Sequence, residues 1–298
     1  MSSTKEEQMY KHKNIRSSER VWLCCCFSFA LSSSPIVAVT PEIMAAVRRA
    51  LRFPASRAAS AACGSGAAGA AGVDICNCGA DLGRPIPRPD LLACSDLEEG
   101  TLPWRIQMYG AALYWHVASV PGDQHGTLDL NMLRGKDVLE VGCMRGGGAR
   151  YLATVAGTRS YVATDIEDEH IELCRRRWLP SGDVRHPGGL RFEVAAAAKL
   201  AEVYPADCFD FVLCVQSIAL FADPEGFVRS ARHVLRPGGR LVICEALSRR
   251  HLQKLLTSVE GAGLVCDAVN DLSGAVNSVG FCNIVGERSY VHLIASKG

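Results

Sequence analysis

Glu140, four glycines between positions 142 and 148, and Asp165 are residues whose types and spacing can do chemistry together. The stretch Lys136–Ala153 reads KDVLEVGCMRGGGARYLA. Val138, Leu139 and Val141 form a short apolar run that stops at a glycine, as a buried strand of a parallel sheet does. Gly142, Gly146, Gly147 and Gly148 make a turn that a backbone without Cβ groups follows easily. Arg150, Tyr151 and Leu152 then open a helix. Strand, glycine-rich turn and helix build a ligand site at the carboxyl end of the first strand of an open α/β sheet. Free N–H groups at the helix start favour an anionic group there.

The spacing bears on which ligand. A dinucleotide site reads G-x-G-x-x-G. Counted from Gly142, this turn reads G-x-x-x-G-G-G, and Glu140 stands two residues before the first glycine. A second strand, SYVAT at Ser160–Thr164, ends at Asp165, 23 residues after Gly142. An ionised carboxylate at that place offers two acceptor oxygens to the hydroxyls of a ribose. Glycine turn plus distal acid points to an adenosine cofactor. The missing G-x-G-x-x-G disfavours an NAD-dependent oxidoreductase.

The glycine stretch resembles motif I, E/D-x-G-x-G-x-G, of the class I S-adenosylmethionine-dependent methyltransferases. Within them VLEVGCMRGGGARYL is most similar to the VLEVGCGxGGGAxYL of the phthiotriolone/phenolphthiotriolone dimycocerosate methyltransferase group. SYVATDIEDEHIELCRRR, FDFVLCVQS, HVLRPGGRLVICEA and the final SYVHLIASKG extend the resemblance over roughly Gln107–Gly298. It implies a doubly wound, seven-stranded, mostly parallel Rossmann-like sheet with an antiparallel C-terminal hairpin. It also implies S-adenosyl-L-methionine as cofactor and methyl transfer to O or C of a small apolar acceptor. Glu140, Gly142, Cys143 and Gly146 would shape the methionine side, Asp165 would hold the ribose, and Ile166 and Val215 would lie beside the cofactor, with Ile166 on the adenine face.

Three positions depart from the family pattern. Met144 stands where the middle glycine of motif I is expected. Ala196 occupies the acidic position after strand three, and one hydrogen bond lost there costs about 1 kcal/mol. After strand four the relatives read VEASH, whereas this chain reads Val215-Gln216-Ser217-Ile218-Ala219, so the expected base is absent. Methyl transfer from a sulfonium draws mainly on proximity and orientation, and a base is needed only for an acceptor that must lose a proton. Gln216 would orient an acceptor by hydrogen bonding; the alternative is an ordinary polar residue at a strand end. The rival reading is a non-catalytic protein that keeps the fold as a binding or scaffold module.

Other elements must position these residues. A helix is expected over Pro103–Val120, carrying Trp104, Tyr109, Tyr114, Trp115 and His116. By resemblance Tyr114 or Trp115 would face the sulfonium; the alternative is that these aromatics pack the helix onto the sheet. His116 reads as a surface or hydrogen-bonded histidine. A helix over Glu167–Trp178 has acids in its first turn and arginines in its last, complementing its dipole. Strands are expected at Leu190–Val194, Phe209–Val215, Arg240–Glu245, Leu264–Val269 and Ser289–Ala295. Helices are expected at Pro224–Leu235 and Arg249–Glu260, and a turn at Arg236–Gly239. The short gap between the last two strands leaves no room for the longer substrate-covering insertion of the phthiotriolone relatives, so their lipid substrate does not carry over.

The chain has 298 residues, 48% of them hydrophobic, enough for a sizeable core. A formal net charge of +1 argues against a nucleic-acid partner held by bulk electrostatics. Several of the 14 cysteines, Cys143, Cys214 and Cys244 among them, fall in expected buried strands, which suits reduced thiols and an intracellular protein. Residues 1–101 read as a leader and linker, with the methyltransferase domain over 102–298. Val21–Leu31 is apolar but too short for a membrane span. Residues 44–72 are rich in Arg and Ala and free of acids, the composition of an organelle transit peptide, which implies mitochondrial import with a cytoplasmic protein as the alternative. Cys76, Cys78 and Cys94 fall short of a four-ligand zinc site.

Overall fold

The computed structural model describes residues 75, 79–81, 83, 102–119, 130–179, 189–279, 284 and 286–298. Seven strands form one sheet: β1 (Asp137–Val141), β2 (Ser160–Asp165), β3 (Leu190–Val194), β4 (Phe209–Val215), β5 (Leu235–Ser248), β6 (Leu264–Asp271) and β7 (Arg288–Lys297). Their order is β3-β2-β1-β4-β5-β7-β6. The first five run parallel, and β7 lies antiparallel between β5 and β6. The doubly wound sheet with an antiparallel end that the sequence implies is therefore the fold observed.

Strand order places β1 centrally, with Leu139 opposite Val162 on one side and Val212 on the other. Strand alternation gives the sheet two faces. Leu139, Val141, Val212, Leu241 and Ile243 pack with Phe227, Val228, Ala231 and Val234 of one helix, Pro224–Val234, and with Leu255 and Val259 of another, Arg249–Gly261. The first of these begins well: Asp223 accepts the N–H of Gly226 and Pro224 sits at the helix start. The opposite face carries α1 (Leu102–Val117), α2 (Gly147–Val155) and α3 (Asp168–Trp178). We label the later helices α4 (Leu200–Val203), α5 (Pro224–Val234), α6 (Arg249–Gly261) and α7 (Ser273–Val279).

The two edges of the sheet differ. At the amino edge Arg236 bridges Asp137 (2.8 Å) and Asp210 (2.9 Å), and Arg159 also pairs with Asp137. These partners hold the Asp137 carboxyl well below the usual carboxylate range. The carboxyl edge presents the glycine turn.

Several local expectations are corrected. Arg236–Gly239 is not a free turn before a strand. It is an irregular stretch inside β5, between Leu235 opposite Phe209 and Arg240 opposite Phe211. Gly238, at φ 75°, lets the chain return to register. The gap between β6 and β7 holds α7, whose Val276 and Val279 are buried. Upstream of the expected boundary at 102, Ile75 is buried and its N–H is bonded to Gln107 Oε1 (3.0 Å). Ala80 N–H donates to Tyr109 O and Asp81 N–H to Ala275 O. The import segment, the apolar stretch Val21–Leu31 and Cys76, Cys78 and Cys94 lie outside the described residues. Among the described residues no helix is long and apolar enough to cross a membrane.

Candidate functional site

The sequence places its chemistry at the carboxyl ends of β1, β2 and β4, and the structure brings those ends together. After β1, Gly142 and Cys143 both donate their N–H groups to Thr164 O, at 2.8 and 2.9 Å. Gly146 N–H then donates back to Cys143 O, closing a tight turn. Gly142 has φ 83°, and a Cβ there would collide with the Ser217 side chain from the loop after β4. Ser217 Oγ in turn lies 3.2 Å from Val141 O. The two loops are thus locked against each other at a contact that only glycine permits.

Helix α2 begins at Gly147, three residues earlier than the sequence reading placed it. Its N-cap Gly146 is left-handed at φ 72° and supplies no side-chain cap. The first amides of α2 therefore keep their N–H groups without an intrahelical or capping partner.

Met144, the residue in place of the motif glycine, adopts the conformation that glycine favours, φ 49°. Its N–H donates to Asp165 Oδ2 (2.9 Å) and its O accepts from Cys174 Sγ (3.3 Å). Trp178 Nε1 donates to Arg145 O (2.8 Å). Helix α3 thus holds two carbonyls of the turn, and the left-handed Met144 is over-determined by neighbours. Gln216, at the end of β4, is also left-handed (φ 53°), with its N–H donated to Cys244 O. Three non-glycine residues among those described have positive φ, and two of them flank this one edge.

Asp165 ends β2 and is 9% exposed. Oδ2 accepts from Met144 N, while Oδ1 accepts from Glu167 N (3.0 Å) and faces His170 Nδ1 (3.2 Å). Burial opposes its charge, but the His170 bond and the backbone N–H groups outweigh it, and the carboxyl stays below its usual value. In return His170, although burial works against its cation, is raised above the ordinary histidine value by Asp165. A carboxylate has about four lone-pair directions. Oδ2 therefore keeps one open, and a second external donor must share Oδ1 with His170. Ile166, the next residue, is 66% exposed although large and apolar. Val194 at the end of β3 and Leu220 after β4 are also exposed apolar residues on this edge. Val215 is buried, and its O accepts from Ser217 Oγ.

Glu140 is placed differently from the simple expectation. It is 1% exposed, and both oxygens are taken: Tyr114 OH donates to Oε1 (2.6 Å) and Tyr161 OH to Oε2 (2.7 Å). Burial outweighs both bonds and pushes its carboxyl up. Glu140 can shape the site only through these tyrosines and the backbone beside Gly142. Tyr114 is buried with its ring over Gly148, at the position a Cβ there would occupy. The packing alternative for the aromatics of α1 is thus what Tyr114 shows. His116 is half-buried, its ring 5.1 Å from that of fully buried His292, whose pKa is pushed down to about 3 by burial. Cys143 is buried and its thiol is held well above the usual value. Ala196 caps the short 3-10 turn Ala197–Lys199.

Sequence reading missed Tyr161, His170, Cys174, Trp178 and Glu245. Glu245 lies in β5 one residue past Cys244, the partner of Val215, and is buried. Its Oε1 accepts from Ala246 N (2.9 Å) and its Oε2 from Ala219 N (3.4 Å). Its signal was an acid closing the apolar run LVIC, which the reading passed over as a strand end.

Comparison with known proteins agrees with this geometry. Residues 139–243 match the family model described as a methyltransferase domain. The chain is similar to a fatty-acid O-methyltransferase of Mycolicibacterium smegmatis, at 37% identity over 42% of each chain. It is also similar to a phthiotriol/phenolphthiotriol dimycocerosates methyltransferase of Mycobacterium ulcerans, at 33% identity over 47% of this chain and 48% of that one. The matched stretch thus spans about half or less of these curated relatives. Among solved structures, geranyl diphosphate C-methyltransferase from Streptomyces coelicolor A3(2) superposes with a TM-score of 0.53 and 13% identity, covering 74% of this chain and 88% of that one. At that identity the likeness is one of fold. The match over 139–243 thus spans β1 to β5 of this sheet and is a similarity to methyltransferase domains.

Proposed function

We propose that the chain is an S-adenosylmethionine-dependent methyltransferase acting at oxygen or carbon of a small apolar acceptor. The observation that carries this reading is the clamp at Asp165: a buried carboxylate tied to the glycine turn, with one lone-pair direction of Oδ2 left open and an exposed Ile166 beside it. Bound there, S-adenosylmethionine supplies an electrophilic methyl group on a sulfonium. Asp165 Oδ2 would accept one ribose hydroxyl directly, and a second would share Oδ1 with His170. Ile166 covers one adenine face. Gly142, Cys143 and Gly146 set the backbone of the methionine side, and the uncapped start of α2 receives its carboxylate. Val215 and Gln216 close the wall toward the acceptor, with Gln216 offering its amide to orient it. The named activities of the two mycobacterial relatives, on a fatty acid and on phthiotriol lipids, support an apolar acceptor.

Two substitutions test the cofactor placement. Ile166→Ser removes an exposed apolar surface and is expected to weaken S-adenosylhomocysteine binding about 5- to 20-fold, in line with the about 1–2 kcal/mol of a partly buried side chain. Its melting temperature should be unchanged, because Ile166 packs little in the free protein. Unchanged affinity would remove Ile166 from the adenine site.

Met144→Gly relieves about 1 kcal/mol of left-handed strain and loosens the unfolded chain by a similar amount, about 0.5–1 kcal/mol. Stability should therefore hardly move. The turn approaches the cofactor more freely, so affinity should rise severalfold in a calorimetric titration. If only the glycine variant binds, the natural chain is a degenerate copy and the methyltransferase reading falls.

A further inference from the structure

A buried carboxylate lies beside the loop that follows β4. Glu245 comes from the neighbouring strand, and its Oε2 accepts from the backbone N–H of Ala219 (3.4 Å). Ala219 and Leu220 are themselves exposed, so the buried carboxyl lies directly under the outer rim of the site. No salt bridge is recorded for it among the described residues. Its two hydrogen bonds come from backbone amides. A buried acid with no paired cation is costly, and such groups concentrate where proton transfer is needed. The groups around it are few: Cys214 on β4, Cys244 on β5, and Tyr290 and Arg288 on β7. Three of these four are uncharged at neutral pH.

Resting on the methyltransferase reading, we propose that Glu245 is the proton acceptor of the reaction and that the methyl acceptor is a hydroxyl group on an apolar molecule. Glu245 takes the hydroxyl proton as the acceptor oxygen bonds the methyl carbon. The sulfur–carbon bond breaks, its electron pair stays on sulfur, and S-adenosylhomocysteine leaves neutral. Glu245 is left protonated and releases its proton to water. A carboxylate acceptor is already deprotonated and needs no such partner. It would also place a second negative charge over Glu245, where like charges repel.

Burial pushes the Glu245 carboxyl up to about 7. The sign follows. Below about 4 the group is neutral in folded and unfolded chains alike. As pH rises toward 7 the unfolded chain ionises it first, so stability falls. Above 7 the full cost of the buried charge is present in the fold.

The test uses the full chain with methyl-labelled S-adenosylmethionine and three probes in nonionic micelles: pentadecylphenol, cetyl alcohol and palmitic acid. Methyl ether from a hydroxyl probe is expected, with a rate that rises with pH through about 7. Glu245→Gln should lower that rate by about 100-fold or more and abolish the pH limb. The variant should bind S-adenosylhomocysteine within twofold of the natural chain, and it should melt higher than that chain at pH 8 but not at pH 4. Methyl ester from palmitic acid with no ether, or an unchanged rate in Glu245→Gln, overturns the proposal while leaving the methyltransferase reading standing. Cofactor binding with no ether from either hydroxyl probe does the same. No S-adenosylhomocysteine binding by the folded natural chain overturns both.

Discussion

Asp165→Asn is expected to weaken S-adenosylhomocysteine binding by about 100-fold. A hydrogen bond to a charged group contributes about 1.5–3 kcal/mol, and each 1.4 kcal/mol is about a factor of ten. The amide that replaces Oδ2 is a donor facing another donor, the Met144 N–H. The turn therefore loses its tie to β2 in the same stroke as the ribose loses its acceptor. His170 loses the negative charge that raises it, so its titration moves down toward the ordinary histidine value and below. Nuclear magnetic resonance of the His170 ring reads that shift without any ligand. A calorimetric titration reads the affinity. If the shift occurs and the affinity stays, Asp165 organises the turn but does not hold the cofactor.

The second large effect concerns the support of the site. Gly148→Val is expected to destabilise the fold by about 3–5 kcal/mol. Its Cβ would come within 2.0–2.4 Å of the Tyr114 ring atoms. That ring is buried, and its hydroxyl holds Glu140 Oε1. Tyr114 cannot swing aside without leaving a buried carboxyl one partner short. For a domain of this size the loss corresponds to a fall in melting temperature of about 10 °C. The cause can be separated by a cycle. Tyr114→Ala alone should be destabilising, but Gly148→Val added to it should cost much less than in the natural chain. Full additivity would mean that α1 does not lie against Gly148.

The contrast between these two sites shows what the sequence could and could not convey. The position of Asp165 beside the glycine turn was legible because it rests on two local signals, an apolar run ending in an acid and a glycine turn 23 residues earlier. The strand–turn–helix at 137–155 was legible for the same reason, since apolar periodicity and glycine placement are short-range. Glu140 was picked out, but not the groups that hold it. Its partners, Tyr114 and Tyr161, lie 26 and 21 residues away, and nothing in the sequence pairs a hydroxyl with a carboxylate across a sheet.

Glu245 reads like any acid at a strand end, because its burial depends on the neighbouring strands and loop and not on its own stretch. Helix α7 was hidden in a gap of small and polar residues whose helical period spans barely two turns. The tie from Ile75 to Gln107 is a long-range contact from a stretch that reads as linker. Met144 is the converse case. The sequence marks it as a departure from the motif glycine, and the structure shows its backbone taking the glycine conformation, fixed by Asp165 and Cys174.

The most direct measurement is calorimetric titration of S-adenosylhomocysteine into the full natural chain, with Asp165→Asn titrated in parallel. The expected result is one site of micromolar affinity in the natural chain and about 100-fold weaker binding in the variant. A folded natural chain that gives no binding heat at millimolar ligand, and no rise in melting temperature, would contradict an adenosyl cofactor at the carboxyl edge of this sheet.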